Sequence, residues 1–396
     1  MPSAFTGTLN SNEIFSSIYN MIISQAFYGD RLKGLNSELV ALFKTDGTLY
    51  GDTKLFYASD VLETYPWGNY AEAANLLAND KPDDPSCQKI VLDQFRQVRL
   101  TLDNYLSKRA WGDEYAFSQF QNVMLSYISK TKRLYETLLI NTYIGTVVSP
   151  ATKGTVSIDV TTPITGLSGE EKARVSAQVI AKGFADLLVD MKDVSRDYND
   201  YAFLDAFETS DLKVIWNASK VNEITKLDLP TIFHKEGLMD KFDEYRLPQR
   251  YFGTIITSSN ISSFSDSAPA PGKPIDSDNN QYTPGSNYAN GRIRSLVEKK
   301  YTVGGTTYHV FPGDDIVSGA TIVASTGNFV PGEVYIEDHS VICKVVHKDA
   351  VKFMSAFETA TEFFNARSLT SNHYLTWGYS NPDYLKSLPV ITVKQA

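Results

Sequence analysis

The chain is poor in the residues that most often carry chemistry. Among 396 residues it has two cysteines, Cys87 and Cys343. That is too few for a disulfide framework, and both are expected to be free thiols, as in a chain made in a reducing compartment. The five histidines, His234, His309, His339, His347 and His373, are scattered. Positive charge is also short: 37 Lys and Arg against 46 Asp and Glu leave a net charge of −9 and a pI near 5.2. This excludes a protein that holds nucleic acid by bulk charge. No apolar run approaches the roughly 18–20 residues that a membrane helix needs. The start, MPSAFTGTLNSNEIF, lacks a basic segment followed by an apolar one, so no secretory signal is expected there. The sequence contains no glycine-rich Walker loop, no GxGxxG after a strand, no HExxH and no GxSxG elbow. No repeat of fixed period is visible.

What is present is an ordinary globular composition, 42% hydrophobic and 21% charged, with 23 Tyr and 21 Phe. Enough apolar surface exists to offset the entropy of ordering, so the chain is not disordered throughout. The length suggests about two to three domains. Residues 12–28 place Ile14, Ile18, Met21, Ile22 and Ala26 at helical spacing. Glu38 to Lys44 reads as a strand, and the Asp46-Gly47 pair after it as a hairpin turn. The runs TKLFYA and QFRQVRLTLD bracket the polar NDKPDDPS and read as two long strands of an extended hairpin, which is marginal alone in water. The longest helix is predicted over about Asp113 to Ile144. Phe117, Phe120, Met124, Tyr127, Ile128, Leu134, Tyr135, Leu138 and Leu139 line its face, Gly145 is its stop, and its length is about 45 Å.

A strand is expected at Thr155–Val160, then a helix opened by Ser168 and Glu171 as a capping box. Val175, Val179, Phe184, Leu187, Leu188 and Met191 form the apolar face of that helix. LKVIWNAS reads as a buried strand, a short helix begins near Ser219, and RYFGTIITSS reads as another strand. Residues 258–295 form a long polar insertion. Several short strands follow, with Gly304-Gly305 as a hairpin turn. Helical spacing is also available over Ala350 to Phe364, but its Thr and aromatic content favours extended structure.

None of the candidate chemical sites outweighs its structural reading. His339 and His347 flank Cys343 at four residues on a presumed strand, too far apart to share an ion. Gly313-Asp314-Asp315, next to Pro312, reads as a turn rather than a paired-acid site. Asp80, Asp83 and Asp84 sit in a proline-broken loop. Asn217 and Asn260 match the glycosylation sequon by chance. No catalytic residue, cofactor or metal is expected. The aromatic stretches YPWGNY, RAWGDEYAF and HYLTWGY stand out. They are either core packing beside turns or anchors between subunits, since Trp and Tyr are enriched at interface hot spots. On the second reading Trp67, Tyr70, Trp111, Tyr115 and Trp377 are the candidate inter-subunit contacts.

In order, the chain reads as an arm, a long hairpin, one very long helix, an α/β unit with an insertion, and closing strands. This order resembles the major capsid proteins of tailed bacteriophages, the α+β Hong Kong 97-type fold, and its length suits those of small short-tailed phages. QVRLTLDNYLSKRAW followed by the long helix looks like the returning loop strand and spine helix of that family. EEKARVSAQVIAKGFADLL and LKVIWNAS look like the first helix and central strand of its axial domain, and GEVYIEDHSVICKVVHKDAVKF like the strand pair that re-enters the peripheral domain. The resemblance implies an N-terminal arm at 1–45, an extension loop at 46–105, and a peripheral domain with the spine helix at 106–165. It further implies an axial domain at 166–330 with the 258–295 insertion, and a return to the peripheral sheet at 331–396. It also implies self-assembly as pentamers and hexamers of an icosahedral head shell enclosing double-stranded DNA without sequence-specific binding. Scaffolding, portal and head-decoration proteins are the implied partners, with no membrane. The place is the virion, after assembly in the host cytoplasm. The competing readings are a portal or tail component, which would form rings or tubes, and a hydrolase, which would need two converging acids.

Overall fold

The computed structural model describes residues 38–46, 51, 53–64, 83–103, 114–225, 243–261, 292–317, 320–322 and 327–396. The chain divides into two compact units. The first comprises residues 1–53, 91–140 and 353–382, the second residues 54–90, 141–352 and 383–396.

The first unit begins with helix α1 (Glu38–Phe43) and strand β1 (Lys44–Asp46). The expected strand at 38–44 is thus a helix over most of its length. Leu39, Val40 and Phe43 are buried at one, two and five positions along it, a spacing that only a helix puts on one face. Strand β1 runs parallel to Phe353–Ser355, far along the chain, and Gly47 of the expected Asp46-Gly47 turn lies outside the described residues.

The ribbon formed by β2 (Thr53–Ala58) and β3 (Ser86–Val91) corrects the expected hairpin. TKLFYA pairs with SCQKIV. QFRQVRLTLD is instead strand β4 (Gln94–Asp103). It pairs antiparallel over ten residues with Thr370–Tyr379. The long helix α2 (Glu114–Thr146) has 33 residues, about 50 Å.

Among its described side chains in the first unit, Ile128, Lys132, Tyr135, Glu136, Thr137 and Ile140 are buried, while Leu134 and Leu138 are half-buried. The buried face is therefore rotated from the expected one, because two charged residues are buried as partners. The Lys132 ammonium lies 2.5 Å from Glu358 and 3.8 Å from Glu136. Glu136 also accepts a hydrogen bond from Ser355 at 2.9 Å. Tyr135 stands edge-on to Trp377 and Tyr379, with the Arg96 guanidinium over its ring.

The second unit holds β5 (Thr155–Ile158), α3 (Gly169–Lys192), β6 (Leu212–Asn217), α4 (Ala218–Thr225) and β7 (Asp243–Leu247). After these come β8 (Gly253–Ile255), β9 (Ile293–Ser295), β10 (Lys299–Val303), β11 (Thr306–Val310), β12 (Val334–Glu337) and β13 (Val341–His347). The long strands β14 (Val351–Asn365) and β15 (Thr370–Tyr379) complete the first unit's sheet, in the order β1-β14-β15-β4. The extended reading of the tail is what the structure has. Short β16 (Asp383–Tyr384) and β17 (Val390–Gln395) close the chain.

The central sheet of the second unit runs β5-β17-β13-β6-β7. One face packs on α3 through Ala177, Ile180, Phe184, Leu187, Leu188 and Met191. Ser168 is the N-cap residue of α3, but its side chain makes no capping bond, so the expected box is not formed. On β6 every residue but Lys213 is buried, the pattern of a strand covered on both faces. A three-stranded sheet, β8-β12-β9, and the β10–β11 hairpin share a second core around Ile256, Tyr301, Phe329 and Ile336. The hairpin turns at Gly304 and Gly305 with φ +58° and +83°. Two successive positive φ values define the turn type whose twist suits adjacent strands. Val334–Glu337 and Val341–His347, read as a strand pair from the sequence, lie in different sheets. Of the 258–295 insertion, residues 262–291 lie outside the described residues, as does the helix expected at 12–28.

Candidate functional site

Several of the residues that the sequence marks as candidates for chemistry are engaged in structural contacts. Asp314 accepts the Phe311 N–H at 2.9 Å within a turn, and Asp315 pairs with Arg292 and Arg294 at 3.0 and 3.1 Å. Cys343 is buried and its thiol is pushed up by desolvation. His347 shares its strand, but His339 lies in the preceding turn, 3.6 Å from Glu337. Burial lowers the His347 pKa, and the ring stands edge-on to Phe207. His309 contacts Glu298 at 2.8 Å. His234 and Asp80 lie outside the described residues, and Asp83 and Asp84 are exposed. Among the described residues no three His, Cys, Asp or Glu side chains are placed to hold a metal. Asn217 is fully buried and donates to the Val341 carbonyl at 2.9 Å, which closes it to glycosylation.

Of the candidate inter-subunit aromatics, Trp67, Tyr70 and Trp111 lie outside the described residues. Tyr115 is on α2, and its side chain is not among those described. Trp377 sits on β15 with 2% of its surface exposed, packed against Tyr135.

Among the described residues, exposed apolar side chains gather in two places that no sequence motif marked. The first is the β2–β3 ribbon and the segment after β2. Leu55 and Tyr57 alternate onto the same face of β2, 50% and 66% exposed, and Val61 and Leu62 follow at 58% and 70%. Polar contacts within the second unit tether this segment. Asp60 accepts the Leu204 N–H at 2.9 Å and pairs with Arg196, and these partners hold its carboxyl below the usual carboxylate range. From β3, Gln88 donates to the Tyr384 carbonyl at 2.7 Å and accepts the Lys386 N–H at 3.0 Å. The second place is the far end of the β14–β15 hairpin, where Phe363, Phe364 and Leu369 are 62%, 51% and 44% exposed. Alternation in TKLFYA marked a strand, but a half-apolar strand reads the same whether its apolar face is covered or bare. Sequence alone therefore does not expose such a patch.

A long helix against a long-stranded sheet, a paired ribbon, and a mixed sheet capped by a helix together make an α+β fold of Hong Kong 97 type. No protein-family model matches the chain, and no curated protein matches it. Among solved structures the chain is similar to a chain of the capsid structure of Staphylococcus phage Andhra. That match has a TM-score of 0.52 and 12% identity over 90% of this chain and 83% of that one. It is similar to the same degree (TM-score 0.52, 11% identity, 90% and 84% coverage) to a chain of the structure of the head fiber and inner core protein gp22 of native bacteriophage P68. At these identities the likeness is one of fold.

Proposed function

We propose that this chain is the major capsid protein of a tailed phage, self-assembling into the icosahedral head shell that encloses double-stranded DNA. The observation that carries the reading, beyond the fold, is the bare apolar face of the ribbon. A two-stranded ribbon is marginal in water, and Leu55, Tyr57, Val61 and Leu62 remain half or more exposed. Identical copies that each cover a neighbour's bare surface close into symmetric arrays. Many such contacts, individually modest, give a strong assembly. On this reading the first unit, with α2 as spine, is the peripheral domain. The second unit carries the axial domain, and the ribbon is the extension loop. Pentamers and hexamers are the assembly units; scaffolding, portal and decoration proteins are the partners; the virion is the place of action, reached from the host cytoplasm. The acidic net charge suits a wall that does not trap the genome. The role is structural rather than enzymatic.

Negative-stain microscopy of the purified chain tests the reading. Closed shells are expected; rings or tubes would point to a portal or tail component, and turnover abolished by one Asp or Glu change would point to an enzyme. Replacing Leu55, Tyr57 and Leu62 by serine is expected to leave the far-UV circular dichroism and melting temperature of the subunit nearly unchanged, because all three are exposed, while shells disappear. Normal shells from that variant would count against the assignment.

A further inference from the structure

The outer edge of β14 is a second place where the fold stops short. Along one edge β14 pairs with β15 as far as Asn365 opposite Thr370. Along the other, β1 covers only Phe353 to Ser355. From Thr359 to Asn365 that edge has no strand partner among the described residues, and Thr359 to Phe364 are all exposed. Natural proteins guard such edges with lysine, proline, bulges or a cover. The run TATEFFN carries neither lysine nor proline, and its Thr and Phe content favours pairing.

We propose that this edge pairs antiparallel with the same edge of a second copy, about a two-fold axis passing through Thr361. The choice of a second copy rests on the shell reading above and on self-complementarity. In such a pairing, residues whose numbers sum to a constant even value face each other on the same side of the sheet. Centring on Ala360 sets Glu358 opposite Glu362, and centring on Glu362 sets that residue against itself. Like charges directly opposite are unfavourable. Centring on Phe363 runs into the turn after Asn365 and shortens the paired run. Centring on Thr361 uses the whole exposed run. It places Thr361 opposite Thr361, Ala360 opposite Glu362 and Thr359 opposite Phe363, with no carboxylate against another. Each Phe363 ring then covers the Thr359 methyl group of the other copy. The contact is isologous, as a two-fold requires.

The register sets the test. In an antiparallel pair, opposite Cα atoms lie about 4.5–5.5 Å apart, within disulfide reach. Two Thr359 residues would be offset by four positions, about 13 Å along the strand, beyond it. Cys343 is buried and Cys87 exposed, so both variants are made in a Cys87→Ser background. Full-length Thr361→Cys and Thr359→Cys proteins, under assembly conditions, are treated with diamide, which oxidises two thiols to one disulfide. Non-reducing gels then read the product. A covalent dimer from Thr361→Cys and none from Thr359→Cys is expected. No dimer from Thr361→Cys, or equal yields from both, overturns the pairing. Micrographs of the same samples separate this from the shell reading. Shells without the Thr361→Cys cross-link discard the edge and keep the shell, whereas the cross-link without shells keeps the edge and discards the shell.

Discussion

Replacing Lys344 by methionine is expected to stabilise the second unit at pH 6 and to remove most of its stability change between pH 7 and 10. Lys344 lies mid-strand in β13 with 1% of its surface exposed. Its ammonium donates to the Val147 carbonyl, just past the end of α2, at 2.5 Å and to the Thr392 hydroxyl at 2.8 Å. The nearby Asp338 is engaged by Lys394 at 2.8 Å. Desolvation, with a further push from Lys394, brings the Lys344 pKa down from 10.5 to about 7. The folded state thus binds fewer protons than the unfolded state between pH 7 and 10.5, so stability must rise with pH across that window. Below pH 7 both states carry the proton and the burial penalty is fully felt, roughly 4–5 kcal/mol for a displacement of this size. Methionine removes that penalty but leaves two acceptors without their donor, at about 1–3 kcal/mol. The net gain at pH 6 is about 2 kcal/mol, shrinking and reversing toward pH 10. Urea midpoints at pH 6, 7.5 and 9 check it. A wild-type midpoint flat over pH 7–9, or a variant with the same slope, would refute the account.

The second large effect is expected at Gly145. It was read from the sequence as a helix stop, yet α2 runs through it to Thr146. Its role is close approach: a Cβ placed there would lie 2.1 Å from the Tyr251 carbonyl oxygen and 2.5 Å from its carbon. Both atoms are backbone, so no rotamer change relieves the clash. Alanine gains up to about 1 kcal/mol of helix propensity over glycine. Overpacking against a fixed backbone costs about 1–3 kcal/mol or more. The clash wins, and Gly145→Ala should lower stability by about 2–3 kcal/mol, with Gly145→Val worse. A thermal melt decides it, and an unchanged or raised midpoint for Gly145→Ala would mean that the helix and the Tyr251 turn separate readily.

These two residues also show where sequence reading stops. Elements with strong local signals were legible: the α3 face around Phe184 and Leu187, the apolar run of β6, the Gly304-Gly305 turn, and the extended tail. What depends on partners distant in the chain was not. QFRQVRLTLD announces a strand but not that its partner is Thr370–Tyr379. The weak run SCQKIV gives no sign that it closes the ribbon. ELVALF is too short for its period to separate helix from strand. On α2, Lys132 and Glu136 carry no local signal of burial; Glu358, Ser355, Lys44 and each other's charge make them interior. Of the candidate inter-subunit aromatics, Trp377 packs in the core, and the other four have no described side chain. The exposed Leu55, Val61, Leu62, Phe363 and Phe364 carried no motif.

The ribbon's tether differs in kind from the two cores. Beside the one buried residue of β3, Ile90, the contacts of Asp60, Arg196 and Gln88 that hold it are charge and amide contacts near solvent, whereas the sheets are held mainly by apolar side chains. Ions screen solvent-facing charges beyond about 8 Å at 0.15 M and far more closely at 1 M, while excluded salts strengthen apolar burial. Ionic strength therefore acts on this molecule as a selective lever. It slackens the Asp60–Arg196 fastening and leaves the body of the subunit firm.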